Sequence, residues 1–313
     1  MIKKIIFLFL FSFTFCSTAL AKELWLQNIP VAKLNELYQK VGYIGTEEKN
    51  WLMLKTQKYP AILLKNFPPD FNSIEDKEQR NILFIKILAP LALKLNQQLW
   101  DERQIIVNIK KSLKQKGNLT PEQIKIIENK ATKYDVFTRL TGDLRYKYLI
   151  SELLKRIDII PPSIMITIAA IETDFGSSRV VKEGNSLYKM LVWHTKKGLK
   201  PIGETEDDTY RIKIYPDIFK SMEDFALRIN SSPNFSFLRI AREQIRHSVS
   251  SPKLIGSEFS AYSFSNSELQ NYAGIIDYTL SYYDLTVIDR SIIDSNFLTT
   301  EISKQYSKFL IKK

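Results

Sequence analysis

The sequence is poor in the residues that many enzyme chemistries depend on. Cysteine occurs once, at Cys16, and histidine twice, at His194 and His247. Cys16 lies in an N-terminal leader, so the processed chain has no disulfide, no thiol nucleophile and no thiolate metal ligand. The two histidines are far apart and no His-Glu-x-x-His pattern occurs, so we expect no metal and no other cofactor. A Gly-x-Ser-x-Gly elbow, the usual seat of a serine nucleophile, is also missing. There is no internal repeat and no low-complexity tract. After the leader, no segment reads as long and apolar enough to cross a bilayer.

What is present begins with that leader. Residues 1–21 place Lys3 and Lys4 before an apolar run and close on Ala19-Leu-Ala21, the pattern of a secretory signal peptide cleaved after Ala21. Phe15 directly precedes Cys16, where a lipoprotein signal needs a small residue. The expected location is therefore the periplasm or cell envelope. The 313-residue chain carries a formal charge of +11; Lys3 and Lys4 are the leader's only charges, leaving +9 after cleavage. An exported basic protein points to an anionic polymer such as peptidoglycan, and the same charge favours an anionic membrane surface. Export argues against nucleic acid, and no protein partner is readable.

Hydrophobic spacing predicts a mainly α (α+β) fold. Residues 22–140 read as a helical N-terminal region, 141–290 as a second domain, and 291–313 as a tail with one short helix and a loose end. Val31–Gln39 is a short amphipathic helix, and Asn66–Asn72 a proline-marked connector. Residues 75–117 form a long helix that Pro90 should kink. Thr120-Pro-Glu-Gln123 is a capping box opening a helix toward Tyr134. Asp143–Ile157 is another helix. Trp193–Tyr215 reads as a small β-hairpin, and Ser221-Met-Glu-Asp224 as the start of a helix reaching Ile229.

The stretch 161–179 organises the rest. Pro161-Pro162 suits a first helical turn, Ile164–Ile171 is apolar apart from Thr167, and Gly176 stands where the helix should stop. Glu172 occupies the last turn. A carboxylate at the end of so apolar a helix is costly unless partnered, and burial favours its protonated form. That is the environment of a general acid.

Ala169-Ala-Ile-Glu-Thr-Asp-Phe-Gly-Ser-Ser-Arg179, followed by Glu183-Gly-Asn-Ser-Leu-Tyr188, resembles the Bax-like branch of the bacterial cell-wall N-acetylglucosaminidases, glycoside hydrolase family 73. Phe84–Ala92 and Asn96–Arg103 are similar to the N-terminal part of the same branch. The resemblance implies a lysozyme-like helical domain with a β-hairpin lobe, acting on peptidoglycan glycan strands, with Glu172 as catalytic acid. It points to the hairpin loop for a second carboxylate, where Glu204, Glu206, Asp207 and Asp208 stand together; Glu204 is the candidate carried forward. Substrate-assisted attack by an acetamido group is the alternative to any second carboxylate. The resemblance places Tyr215 and Tyr262 at aromatic positions of a sugar groove, and Tyr188 and Trp193 lie nearer Glu172. Aromatic faces suit the flat apolar faces of pyranose rings. Arg179 and Asn185 would brace the loop. Three residues depart from the family pattern: Phe175 for tryptophan, Ser186 for asparagine, and Lys189 for a glycine whose backbone freedom a lysine lacks. Two other readings stay open: a lytic transglycosylase of the same fold, and a wall-binding protein without turnover.

Overall fold

The computed structural model describes residues 23–43, 57–193, 197–202, 209–247 and 272–311, with the side chains of 241 and 244–247 excepted. The architecture is the mainly α, lysozyme-like one with a small β-hairpin lobe. In chain order come β1 (Leu24–Leu26), α1 (Val31–Lys40), β2 (Lys58–Pro60), β3 (Ile62–Leu64) and the long α2 (Lys77–Lys116). Then follow α3 (Pro121–Lys133), α4 (Gly142–Arg156), α5 (Pro162–Thr173), α6 (Arg179–Gly184), β4 (Leu191–Trp193) and β5 (Tyr210–Ile212). The last described elements are α7 (Ile218–Ser231), α8 (Ser236–His247), α9 (Tyr272–Tyr282), β6 (Ile292–Asp294) and α10 (Thr300–Gln305).

Helix α2 is the spine. Asp76 caps its start by accepting the amides of Glu78 and Gln79, and Gly117 ends it in the left-handed region at φ +77°. Pro90 leaves the helix continuous. A proline within a helix deprives the carbonyl four residues earlier of its donor, at a cost of about 3 kcal/mol. Here that carbonyl belongs to Lys86, and the Tyr43 hydroxyl donates to it at 3.2 Å. The Lys86 ammonium lies 4.8 and 5.0 Å from the Tyr38 and Tyr43 ring centres, and burial pulls its pKa down to about 8. Contrary to the reading of the sequence, α2 contains an apolar stretch long enough to span a bilayer, but 78% of that stretch is buried inside the molecule. It is a core helix.

Two hydrophobic clusters form along α2. The larger joins β1, α1 and β3 with the first half of α2, α5, α7 and α9, and the smaller joins Ile106 and Ile109 to α3 and α4. Residues from both sides of position 140 therefore share one core. Helix α5 lies at its centre, packed on α2, α9 and the 3-10 turn Leu285–Arg290, and every residue from Pro162 to Ala170 is buried.

The two ends of the described chain meet in short parallel ladders, which the helical reading of the N-terminal region missed. β1 pairs with β3, and β2 pairs with β6, aligning Tyr59 with Ile293. Leu26 bridges Leu310, while Leu298 and Tyr306 are buried. The tail is thus packed rather than loose, because its apolar residues fill a groove beside the N-terminal strands. Three-residue strands carry too little alternation for a period-2 signal to show. The capping box at Thr120 forms as expected, with Thr120 and Gln123 satisfying each other's backbone amides. Helix α7, however, starts earlier than expected: Asp217 caps it by accepting the Lys220 amide, and Ser221 is fully buried inside it.

Candidate active site

The site is built from the end of α5. Neither Pro161 nor Pro162 can offer a side-chain cap, so the start of the helix is held from elsewhere. Asp289 accepts both the Ser163 amide at 2.8 Å and the Ser163 hydroxyl at 2.7 Å. Burial pushes its pKa up to about 6, against the opposing effect of those two bonds. The approach to the helix is clamped by Asn96, which donates to the Ile160 carbonyl at 2.6 Å and accepts the Ile160 amide at 3.0 Å. Burial of the apolar face then fixes the helix axis; each fully buried Ile or Met side chain contributes about 1.5–3 kcal/mol.

The helix ends in three successive left-handed residues, Asp174 at φ +46°, Phe175 at +50° and Gly176 at +79°. Gly176 is required there: a Cβ would stand 2.8 Å from the Phe84 ring. The Thr173 hydroxyl donates to the Ala169 carbonyl and accepts the Gly176 amide. This reversal feeds α6, which ends at Asn185, again left-handed at φ +49°. The 185–189 loop is pinned from below. The Leu187 amide donates to the Ser221 hydroxyl at 3.0 Å, and Asn185 Nδ2 donates to the Tyr215 carbonyl at 3.1 Å. Arg179 reaches Glu183 and the Lys200 carbonyl, a bracing position.

Tyr188 belongs to the core. Its ring stacks on Phe225 at 4.0 Å and its hydroxyl donates to the Met165 carbonyl at 3.3 Å. A ring that is 2% exposed offers no face to a sugar, which corrects the expectation of a groove residue. Its burial has another consequence. The next residue, Lys189, is held in the left-handed region at φ +46°. Such a backbone costs a residue with a Cβ roughly 1–2 kcal/mol.

Glu172 is half-buried, its side chain 16% exposed, and is not left alone in apolar surroundings. The Tyr272 hydroxyl on α9 donates to Oε1 at 2.9 Å, and the Lys189 ammonium stands 3.7 Å from Oε2. The two contacts differ in strength. A hydrogen bond to a charged group contributes about 1.5–3 kcal/mol. A long ion pair to a lysine that is 45% exposed contributes less than about 1 kcal/mol. Tyr272 fixes the carboxylate, therefore, and Lys189 rests against it. Oε2 is the oxygen left to meet a substrate.

The other sequence candidates fall into three groups. Trp193 is on β4 of the expected hairpin, 58% exposed, with its ring 5.1 Å from Tyr210 on β5, an aromatic pair open to a ligand. Tyr215 points elsewhere: its hydroxyl donates to Asp224 at 2.7 Å, and it lines a cleft of about 560 Å³ between α2, α3 and α7. Glu172 does not line that cleft. Glu204 and Tyr262, with Glu206, Asp207 and Asp208, lie outside the described residues. Tyr272 was missed altogether; the sequence carries no sign that a hydroxyl 100 positions away meets Glu172.

Residues 147–286 match the family model described as mannosyl-glycoprotein endo-beta-N-acetylglucosaminidase. Over 181 residues the chain is 26% identical to Protein bax of Escherichia coli (strain K12), covering 57% of this chain. The matched stretch spans 61% of that relative's length. No solved structure matches the chain. Glu172, Lys189 and Tyr272 all lie within residues 147–286, the span that is similar to the glucosaminidase family.

Proposed function

We propose that the protein is an exported β-N-acetylglucosaminidase that cleaves the glycan strands of peptidoglycan, with Glu172 as general acid. The observation that carries this reading is the placement of Glu172: within the family span, at the mouth of the buried helix, with one oxygen held by a tyrosine hydroxyl and the other turned toward an exposed lysine. Cleavage of a glycosidic bond needs a proton on the leaving oxygen. With Tyr272 donating to Oε1, the transferable proton belongs on Oε2. The second role falls either to the substrate's own acetamido group or to an acid of the 203–208 loop, which lies outside the described residues. The Trp193–Tyr210 pair would offer a flat surface to a sugar ring.

Product analysis tests the reading. Purified peptidoglycan digested by the protein should yield fragments with reducing N-acetylglucosamine ends, read by mass spectrometry. Anhydro-muramyl ends would assign a lytic transglycosylase instead. Tight binding to the wall without soluble products would leave a non-catalytic envelope protein.

A further inference from the structure

Lys189 stands out in two respects. It takes a left-handed backbone at φ +46° that glycine would take without strain. It also brings an ammonium to the catalytic oxygen, 3.7 Å from Glu172 Oε2. Strain kept at a site of chemistry points to a role for the side chain that causes it. In the resting site the ammonium stands beside Oε2, the oxygen that must meet the glycosidic oxygen of a substrate. Acid catalysis through Oε2 therefore needs the Lys189 ammonium to move away. The side chain is able to move: it is 45% exposed, and no other hydrogen bond or ion pair holds it among the described residues.

We infer that Lys189 is a substrate-responsive positioning residue: a carboxylate carried by the glycan next to the scissile bond draws its ammonium off Glu172 and frees Oε2 to take and deliver a proton. The inference rests on the glucosaminidase reading above and adds to it a substrate class, carboxylate-bearing glycans, and a restraint on neutral ones. Coulombic exchange of one carboxylate partner for another keeps the lysine paired throughout, so its charge is never stranded in the site. The carboxylate could sit on the sugar itself or on a peptide attached to it. The ammonium would recognise either.

Three substrates separate these cases: glycan strands stripped of peptide, so that the sugar carboxylates are free; peptide-bearing strands; and neutral N-acetylglucosamine oligomers. kcat/KM is measured on each with the full protein and with Lys189→Met and Lys189→Arg, and the affinity of each substrate is measured by calorimetry. Methionine keeps the Cβ and the chain length, so backbone strain is unchanged. The native protein should prefer a carboxylated substrate to the neutral oligomer by about threefold to fivefold in kcat/KM, the range open to a partly exposed ion pair. Stripped strands being preferred would place the carboxylate on the sugar, and peptide-bearing strands on the peptide. Lys189→Met should cleave neutral oligomers faster than the native protein and lose the preference, while Lys189→Arg retains it. A native protein with no preference, or a preference that survives in Lys189→Met, would overturn the inference. If no substrate is cleaved, the glucosaminidase reading fails separately. Calorimetry then decides on Lys189: equal affinity of the native and Lys189→Met proteins for carboxylated glycan overturns its role in recognition.

Discussion

A proton on its way to a glycosidic oxygen has to leave from one oxygen of one side chain, and the neighbours of that side chain decide which. In the proposed reading, Tyr272 makes that choice for Glu172 by occupying Oε1. Tyr272→Phe should lower kcat about tenfold with KM little changed, since the hydroxyl orients the acid without being placed to hold a sugar. An equal loss in both parameters of a misfolded variant would show in its circular dichroism, and a native kcat would remove Tyr272 from the site. The position of Glu172 at the helix end was legible in the sequence, because a lone carboxylate ending an apolar helix stands out against its periodic background. Its partners were not. Tyr272 is 100 positions distant, and Lys189 read only as a missing glycine, with nothing in the local sequence to show where its ammonium would go. Tyr188 misled for the opposite reason: proximity in sequence to Glu172 does not say which way a ring points.

At the level of elements, α5 must be held at both ends for Glu172 to stay in place. Its start depends on Asp289, whose pKa is raised to about 6 by burial. The sign follows directly. A carboxyl whose folded pKa lies above its unfolded value of 3.8 adds stability below about pH 4, and that contribution is lost as pH rises through 6. Asp289→Asn removes the titration. The stability difference between the native protein and this variant, from urea melts, should therefore shift in favour of the native protein by about 2 kcal/mol between pH 7 and pH 4. A difference that stays constant with pH would mean that Asp289 does not titrate in this window. The helices themselves were readable, most clearly α2, α3 and α4, where apolar spacing and the Thr120 capping box agree. The far-side cap was not, because the proline pair announces a helix start without naming what satisfies the following amide.

On the scale of the molecule, the parallel pairing of β2 with β6 ties the chain's end to its beginning, and Leu298 and Tyr306 extend that seam. Burying two such side chains contributes about 1.5–3 kcal/mol each. Ending the chain at Arg290 should lower Tm by about 10 °C or more, since 1 kcal/mol corresponds to roughly 2–4 °C in a domain of this size. Unchanged Tm would show the tail to be dispensable. This seam was invisible in the sequence: three-residue strands have no pattern of their own, and a parallel ladder between positions 58 and 294 is a property of the folded chain. The larger assignment, a helical domain with a hairpin lobe, was legible because it rests on long periodic segments and on the wording around Glu172. The measurement that bears most directly on the whole account is digestion of purified peptidoglycan by the protein and by Glu172→Gln. The account predicts that the substitution abolishes release of fragments ending in reducing N-acetylglucosamine, by 100-fold or more, while the melting temperature stays within a few degrees, about the scale of 1 kcal/mol. Undiminished release from Glu172→Gln would contradict it.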